Sequence, residues 1–524
     1  MVGSWVSLLP FLIVIPVSII TKQVQPGLFV ALILGCYLKT PDLLGGIKTM
    51  LHYLEANIVK SSNIRIIFFL YTFAGIISMI KLAGGIKGFV HLVSKKVKTK
   101  RSAMILTWVS TMVTFSDPDF RIVTIAPIMK ALRERLKMSS QKVGFVIEVT
   151  SNPVVGLVPL ATAFVGYMVS VIDMSLKQNG IHERAYNVYI KSIPFNFFSF
   201  VIIILGLFYT FFKRDDKETA ADQDQAAAPS KAVPKKRALA PNLQPASADV
   251  EFSTVEALNA YNAQKTKSTT QNVDEPSPNA KQGEEGLASC YRAYEEDAPI
   301  RPWNLIIPLG VMLVLTLFLS WWDGHFKATS FFDAFLRSDA LGVMLEALFI
   351  TFILSMVLFL FQRIPIDKLV THFIKGGNEL MSVIVLLALI WAVSAVADDL
   401  GFSNYVTAHV KGWIPHFFIA PVLFLLGALI SYFIGSSWGT WGLLMPLGIS
   451  LAHQTGANIF LIIGAVFASG TFGAFASPLS DNTVTLCTIL DLPVISYART
   501  KLVPALTAAG ISTVLFAMAS FFIK

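Results

Sequence analysis

Apolar residues in this chain come in long, nearly unbroken runs, clearest at 201–212 (VIIILGLFYTFF) and 303–320 (WNLIIPLGVMLVLTLFLS). A run of ~18 or more apolar residues is long enough to cross a bilayer as a helix. The pattern predicts spans near 5–21, 26–39, 64–82, 143–172 and 193–212, and again near 303–322, 339–361, 379–397, 459–490 and 502–523. Two further stretches, 102–129 and 416–452, enter and leave on one side, as re-entrant hairpins or pairs of short spans. Residues 42–60 are too mixed to span and read as an interfacial helix. The apolar start (MVGSWVSLLPFLIVIPVSII) has no basic leading region and no small-residue cleavage site, so it reads as the first span.

One segment departs from this pattern. Residues 213–300 are rich in Ala, Pro, Gln, Ser, Lys and Glu and show no hydrophobic period. Such a segment buries too little apolar surface to offset chain entropy and reads as a disordered cytoplasmic linker. It separates an N-terminal transmembrane repeat, 1–212, from a C-terminal one, 301–524. The halves echo each other: Pro127 (TIAPIM) and Pro446 (GLLMPL) are 319 residues apart, and so are Pro159 (LVPLAT) and Pro478 (ASPLSD). Basic residues crowd 95–101 (KKVKTKR), 130–142, Lys213/Arg214, Arg363 to Lys375 and Arg499/Lys501, all assigned to the cytoplasm. With about five spans per half, an odd number, the second half is inverted and both termini lie outside. The predicted fold class is an all-α membrane protein of two inverted-topology repeats plus re-entrant or broken-helix hairpins.

Composition agrees with this reading. The chain is 54% hydrophobic and 14% charged, where soluble domains carry about 25% charged residues. The net charge of +9 resides largely in short loops beside spans, which suits a lipid surface and not nucleic acid. Cys36, Cys290 and Cys487 match no metal or redox spacing, and nothing in the sequence calls for a cofactor.

The chemistry lies where polar residues interrupt apolar segments, because irregular backbone at membrane depth is tolerated only inside protein or around a watery cavity. Four such breaks stand out. The first, 114–121 (TFSDPDFR), holds Asp117, Asp119 and Arg121; Pro118 suits a first helical position with Asp117 as its cap. Capping alone would explain Asp117, yet a charge near the bilayer centre costs ~2.5–3.5 kcal/mol and usually marks a pathway. The second, 148–153 (EVTSNP), offers Glu148, Thr150 and Asn152, whose oxygens suit a hard cation, although Asn152 before Pro153 could simply cap. The third, 435–442 (GSSWGTWG), offers Ser436, Ser437 and Thr440 at a half-helix start that favours an anion; close helix packing is the alternative. The fourth, 477–483 (SPLSDNT), holds Ser480, Asp481 and Asn482. The third break also fits G-x-S-x-G, but it lies among spans and nothing orients a histidine, so an enzyme is not expected. A carboxylate in a half-dry cavity can hold a proton facing one side and a metal cation facing the other, and that competition couples the two fluxes.

These motifs, in this order, resemble the NhaC-type sodium/proton antiporters of the ion-transporter superfamily. The resemblance rests on 19-IITKQVQPGLFVALILG-35, 391-WAVSAVADDLG-401, 435-GSSWGTWGLLMP-446 and 473-GAFASPLSDNT-483 and extends over most of the chain outside the linker. It implies a secondary-active antiporter in a bacterial cell membrane, with sodium and protons as partners and Asp117 and Asp481 as sodium ligands. A homodimer is a further expectation. Three departures matter. The family usually has paired aspartates where this chain has Ser116-Asp117, an Asp-His where it has Ala474-Phe475, and an aspartate where it has Glu148. The missing acids, together with the extra positive charge of Arg121, open a second reading: cation-coupled transport of a carboxylated organic solute or amino acid, with Arg121 as its partner.

Overall fold

The computed structural model describes residues 5–94, 97–114, 118–159, 162–212, 299–326, 328–331, 334, 337–402, 405 and 415–523. The predicted linker (all but its last two residues) and Ser116-Asp117 lie outside the described residues. Before the linker run α1 (Leu9–Thr21), α2 (Val24–Lys39), α3 (Leu43–Ile58), α4 (Ser61–Leu82), α5 (Gly85–Ser94), α6 (Lys100–Val109), α7 (Thr111–Thr114), α8 (Pro118–Leu136), α9 (Ser140–Val149), α10 (Asn152–Val155), α11 (Ala163–Gln178), α12 (Ala185–Ser192) and α13 (Phe197–Phe211). After it run α14 (Trp303–His325), α15 (Ala340–Phe361), α16 (Ile366–Glu379), α17 (Met381–Asp399), α18 (His416–Ile434), α19 (Ser437–Thr455), α20 (Ile459–Ala476), α21 (Asp481–Leu490) and α22 (Val494–Phe522). Seven of the described segments are long and apolar enough to cross a membrane, and the bent pair of α12 and α13, with its 45° kink, makes an eighth. The protein is an all-α, multi-pass membrane protein.

Helix starts follow the caps written in the sequence. Thr99, Ser139, Thr162, Ser436 and Asn458 each accept a backbone N–H from the first turn of the helix they precede, which satisfies a backbone group that the helix start would otherwise leave without a partner. Pro118 opens α8 at the position where its missing N–H costs nothing. The echo between the halves extends from prolines to helix bounds. Pro118–Leu136 and Ser437–Thr455 begin 319 residues apart and end 319 apart, with Pro127 and Pro446 at the same internal position. Ser140 and Ile459, which open α9 and α20, are also 319 apart.

Two predicted spans differ in detail. The run 143–172 is not one span but α9, α10 and α11, because Pro153 and Pro159 and the cap Thr162 break the backbone ladder. The last helix begins at Val494, not near 502, and carries Lys501 inside it, fully buried. Lys501 therefore does not mark a cytoplasmic loop; an acidic partner inside the protein neutralises it. Helices from the two sides of the linker interleave: α8 packs on α21, α11 on α19, α4 on α16, α2 on α17 and α13 on α22.

Candidate functional site

Two helix breaks in the second half touch each other. The chain leaves α18 through Gly435 at φ +78°, a conformation that favours glycine. A Cβ there would lie 2.6 Å from the Leu479 carbonyl carbon and 2.9 Å from the Ser480 nitrogen, so only glycine lets the break at 435–436 press against the break at 477–480. The contact is reinforced by Ser477 Oγ, which donates to Tyr432 O at 2.6 Å. Ser436, capping α19, and Asp481, the first residue of α21, thereby reach the wall of one cavity.

That cavity has a volume of about 910 Å³. Its wall includes Lys22, Gln23, Gln25 and Asp119 from before the linker, and Glu379, Ser436, Trp438 and Asp481 from after it. Five helices start at this wall, α2 after Gln23, α8 at Pro118-Asp119, α17 after Leu380, α19 after Ser436 and α21 at Asp481, and three end there, α1 at Lys22, α16 at Glu379 and α18 at Ile434-Gly435. Unpaired N–H groups at helix starts carry partial positive charge and favour anions. Asp119 and Asp481, exposed to the cavity, add negative charge in the first turns of two of these helices. Asp481 makes no hydrogen bond or ion pair with any described residue, while Glu379 lies 3.6 Å from Lys81. The wall is thus amphoteric: carboxylate oxygens for a hard cation, and helix starts plus Lys22 for an anion.

Behind Asp119 lies a fully buried guanidinium. Arg121 donates to Thr107 O at 2.6 Å, to Thr150 Oγ1 and Thr114 Oγ1 at 2.7 Å each, and to Ser110 Oγ at 3.3 Å. It ties the ends of α6 and α7 to α8 and to the break after α9. Its described partners are all neutral oxygens, Nε has none, and Arg121 does not line the cavity. Thr150 Oγ1, occupied by a cation's N–H, is poorly placed to ligate a metal ion. The sequence pointed to a charge at depth here, and the structure assigns it to holding backbone breaks together.

A second buried charge cluster joins the halves. Lys501 Nζ donates to both Glu148 oxygens at 2.8 and 2.9 Å and to Thr483 Oγ1 at 2.6 Å. Thr483 Oγ1 donates to Glu148 Oε1 at 2.9 Å, and Tyr497 OH donates to Oε2 at 2.6 Å. Gly144, one turn before Glu148, makes room for the phenol, since a Cβ there would sit 3.0 Å from the Tyr497 ring. Sequence reasoning singled out Glu148 but missed Lys501, Tyr497 and Thr483. The available signal was Tyr497 and Lys501 at i, i+4 on one helix face.

Of the remaining predicted residues, Asn152, Ser437, Thr440, Ser480 and Asn482 are buried in or beside the breaks and do not line the cavity. Thr440 Oγ1 donates to Ser436 O at 3.0 Å. Asp117, the other proposed sodium ligand, lies outside the described residues. Among the described residues no group of three or more His, Cys, Asp or Glu is gathered as a metal centre.

A sequence profile described as the Na+/H+ antiporter family matches residues 154–521. An uncharacterized protein of Haemophilus influenzae is 22% identical over 532 residues, covering 98% of this chain and 91% of that one. The malate-2H+/Na+-lactate antiporter of Bacillus subtilis is 29% identical over 230 residues, 42% of this chain and 43% of that protein. Among solved structures, MtrF of Neisseria gonorrhoeae, from a class of antimetabolite efflux pumps, gives a TM-score of 0.59 at 12% identity, covering 93% of this chain and 86% of that one. The YdaH transporter of Alcanivorax borkumensis gives 0.50 at 13% identity, covering 91% and 89%. At such identities the likeness is one of fold.

Proposed function

The chain belongs to the Na+/H+ antiporter family, and from that premise we propose that this cation-coupled secondary transporter exchanges sodium for protons across a bacterial cell membrane by alternating access. The observation that carries the proposal is the cavity shared by Asp119 and Asp481, where the Asp481 carboxylate, without a side-chain partner among the described residues, shares a wall with Ser436 beside touching helix breaks. A carboxylate there binds sodium or a proton but not both, and this exclusion couples the fluxes. Asp117 is retained as a second sodium ligand on the strength of the sequence.

A second reading is favoured by the size and charge of the same cavity. About 910 Å³ falls within the ~300–1,000 Å³ typical of small-molecule sites, far more than a dehydrated sodium ion fills. Lys22 and five helix starts suit a small carboxylated solute travelling with the ions, and the Bacillus subtilis relative is an exchanger of malate and lactate. The anion-binding role then falls to Lys22 and the helix starts, not to Arg121.

The proposal includes a homodimer. Glu346 is exposed about 9 Å along α15, at ~1.5 Å per residue, on the face that also exposes Phe349, Ile350 and Ile353. A carboxylate facing lipid costs up to ~2.5–3.5 kcal/mol on insertion scales, and a second subunit that sets a hydrogen-bond donor against it over this face would offset that cost.

The test is purified protein in liposomes with an imposed sodium gradient, internal pH followed by a dye, and labelled lactate and malate as candidate solutes. Sodium-dependent proton movement is expected. Asp481→Asn is expected to reduce it by about tenfold or more, the equivalent of ~1.4 kcal/mol of ligand binding. Undiminished exchange in Asp481→Asn would reject the assignment of that residue.

A further inference from the structure

We propose that Glu148, held by Lys501, is a second proton-binding site of the transport cycle, separate from the cavity carboxylates; this rests on the sodium/proton reading above.

The cluster is costly to build for stability alone. A buried ion pair is often no better for stability than apolar residues of the same volume, yet here Glu148 is 3% exposed and Lys501 0%. Its position is also telling. Glu148 is the penultimate residue of α9, two residues before Thr150, where the backbone breaks. Thr483 stands two residues after Asp481 on the short helix whose first residue faces the cavity. Tyr497 and Lys501 belong to α22. Elements that must shift between inward-facing and outward-facing states are thus tied at one carboxylate.

The surroundings suit a change of proton count. With Glu148 ionised, each of its oxygens accepts one bond from Lys501 and one from a hydroxyl, Thr483 or Tyr497. When a proton from the cavity side adds to a Glu148 oxygen, the carboxyl becomes neutral and the pair gains one positive charge. The ammonium is not then abandoned. Its nitrogen lies 5.1 Å from the Tyr497 ring centroid and 5.5 Å from that of Phe475, within the ~6 Å over which an aromatic face holds a desolvated cation. It also keeps Thr483 Oγ1 as an acceptor. Protonation therefore releases the ionic tie between α9 and α22 while leaving Lys501 accommodated, and deprotonation restores it. Other titratable or charged groups around α9 are few. Cys487 lies nearby on α21, Arg121 is bound to Thr150, Arg133 donates to Ser140 Oγ at the far end of α9, and Tyr209 meets Phe145 with tilted rings. None of these is a rival carboxylate.

The measurement is the proton-to-sodium ratio from reversal potentials in proteoliposomes, for the wild type and for Glu148→Gln/Lys501→Met, which removes both charges together. A ratio lower by one proton per cycle in the double variant is expected; an unchanged ratio overturns the site. Tyr497→Phe covers the case in which the double variant does not fold. It deletes one O–H donated to the ionised carboxylate, so protonation becomes easier and the pH profile of exchange moves alkaline by about one unit. A slower variant with an unmoved profile reduces the cluster to a structural tie and overturns the proposal. Wild-type protein that moves no protons under any sodium gradient rejects the sodium/proton reading itself, a result distinct from a wild type that exchanges while both variants keep its ratio and profile.

Discussion

Gly435 and Gly456 form a matched pair of probes for the contact between helix breaks. Gly435 ends α18 at φ +78° and Gly456 ends α19 at φ +73°. Alanine at either position adopts a left-handed conformation at a cost of ~1–2 kcal/mol. The surroundings differ. At 456 a Cβ meets nothing within 4 Å; at 435 it lies 2.6 Å from Leu479 C, 2.7 Å from Leu479 O and 2.9 Å from Ser480 N. Backbone atoms cannot rotate away, so the break at 477–480 must retreat by roughly 1 Å to recover a normal carbon contact of ~3.5 Å. Overpacking of this kind costs ~1–3 kcal/mol. Gly456→Ala is therefore expected to lose ~1–2 kcal/mol and Gly435→Ala ~2–5 kcal/mol. Because Asp481 follows Ser480, the retreat also displaces a cavity carboxylate, and half-saturating sodium should rise by about tenfold in Gly435→Ala only. Apparent unfolding temperatures in detergent at one scan rate, with sodium titrations of proton movement, give both quantities. Equal losses in the two variants, with equal sodium dependence, would refute the claim that the breaks press together at Gly435.

Two other outcomes follow from the same geometry. Arg121→Lys should lower exchange by about tenfold with little loss of folded protein. One ammonium cannot reach Thr107 O, Thr114 and Thr150 together, while the Thr114 and Thr150 hydroxyls keep their own helix carbonyls as acceptors; wild-type rates would show that the tether is dispensable. Glu346→Lys should convert a dimer in mild detergent to monomer, read by light scattering, whereas a wild type that is already monomeric removes α15 as an interface.

The spans were legible because hydrocarbon admits only long apolar helices, and the breaks because proline cannot continue a backbone ladder. Ser436 could be placed at a helix start from the sequence, and it is there, while Asp481, singled out only as part of a polar break, opens α21. Lys501 could not be read. A lysine near a span end ordinarily marks a loop, and its partner Glu148 is 353 residues away in sequence. One sequence carries local propensity but not that pairing. Arg121 was legible as a charge at depth, but its role was not, because its acceptors Thr107, Ser110, Thr114 and Thr150 look like ordinary helix hydroxyls and carbonyls until the fold gathers them. The cavity was illegible for a related reason: Lys22, Asp119, Glu379 and Asp481 each suit a helix end, and only packing makes them neighbours.

The charge around that cavity argues for how coupling arises. Five helix starts contribute roughly +0.5 each and the ends of α1, α16 and α18 roughly −0.5 each, about +1 together, and Lys22 adds a positive charge. Against these stand the carboxylates of Asp119, Glu379 and Asp481, with Glu379 partly offset by Lys81. The sum lies between about −1 and neutrality. A sodium ion entering such a space meets at most about one unit of negative charge, far less than in an acidic pit. It competes with a proton for that charge or arrives with an anion. Antiport with protons and co-occupancy with a carboxylated solute are the two ways to satisfy that constraint. A cavity that held a sodium ion and a carboxylate proton together, with no solute present, would break the argument.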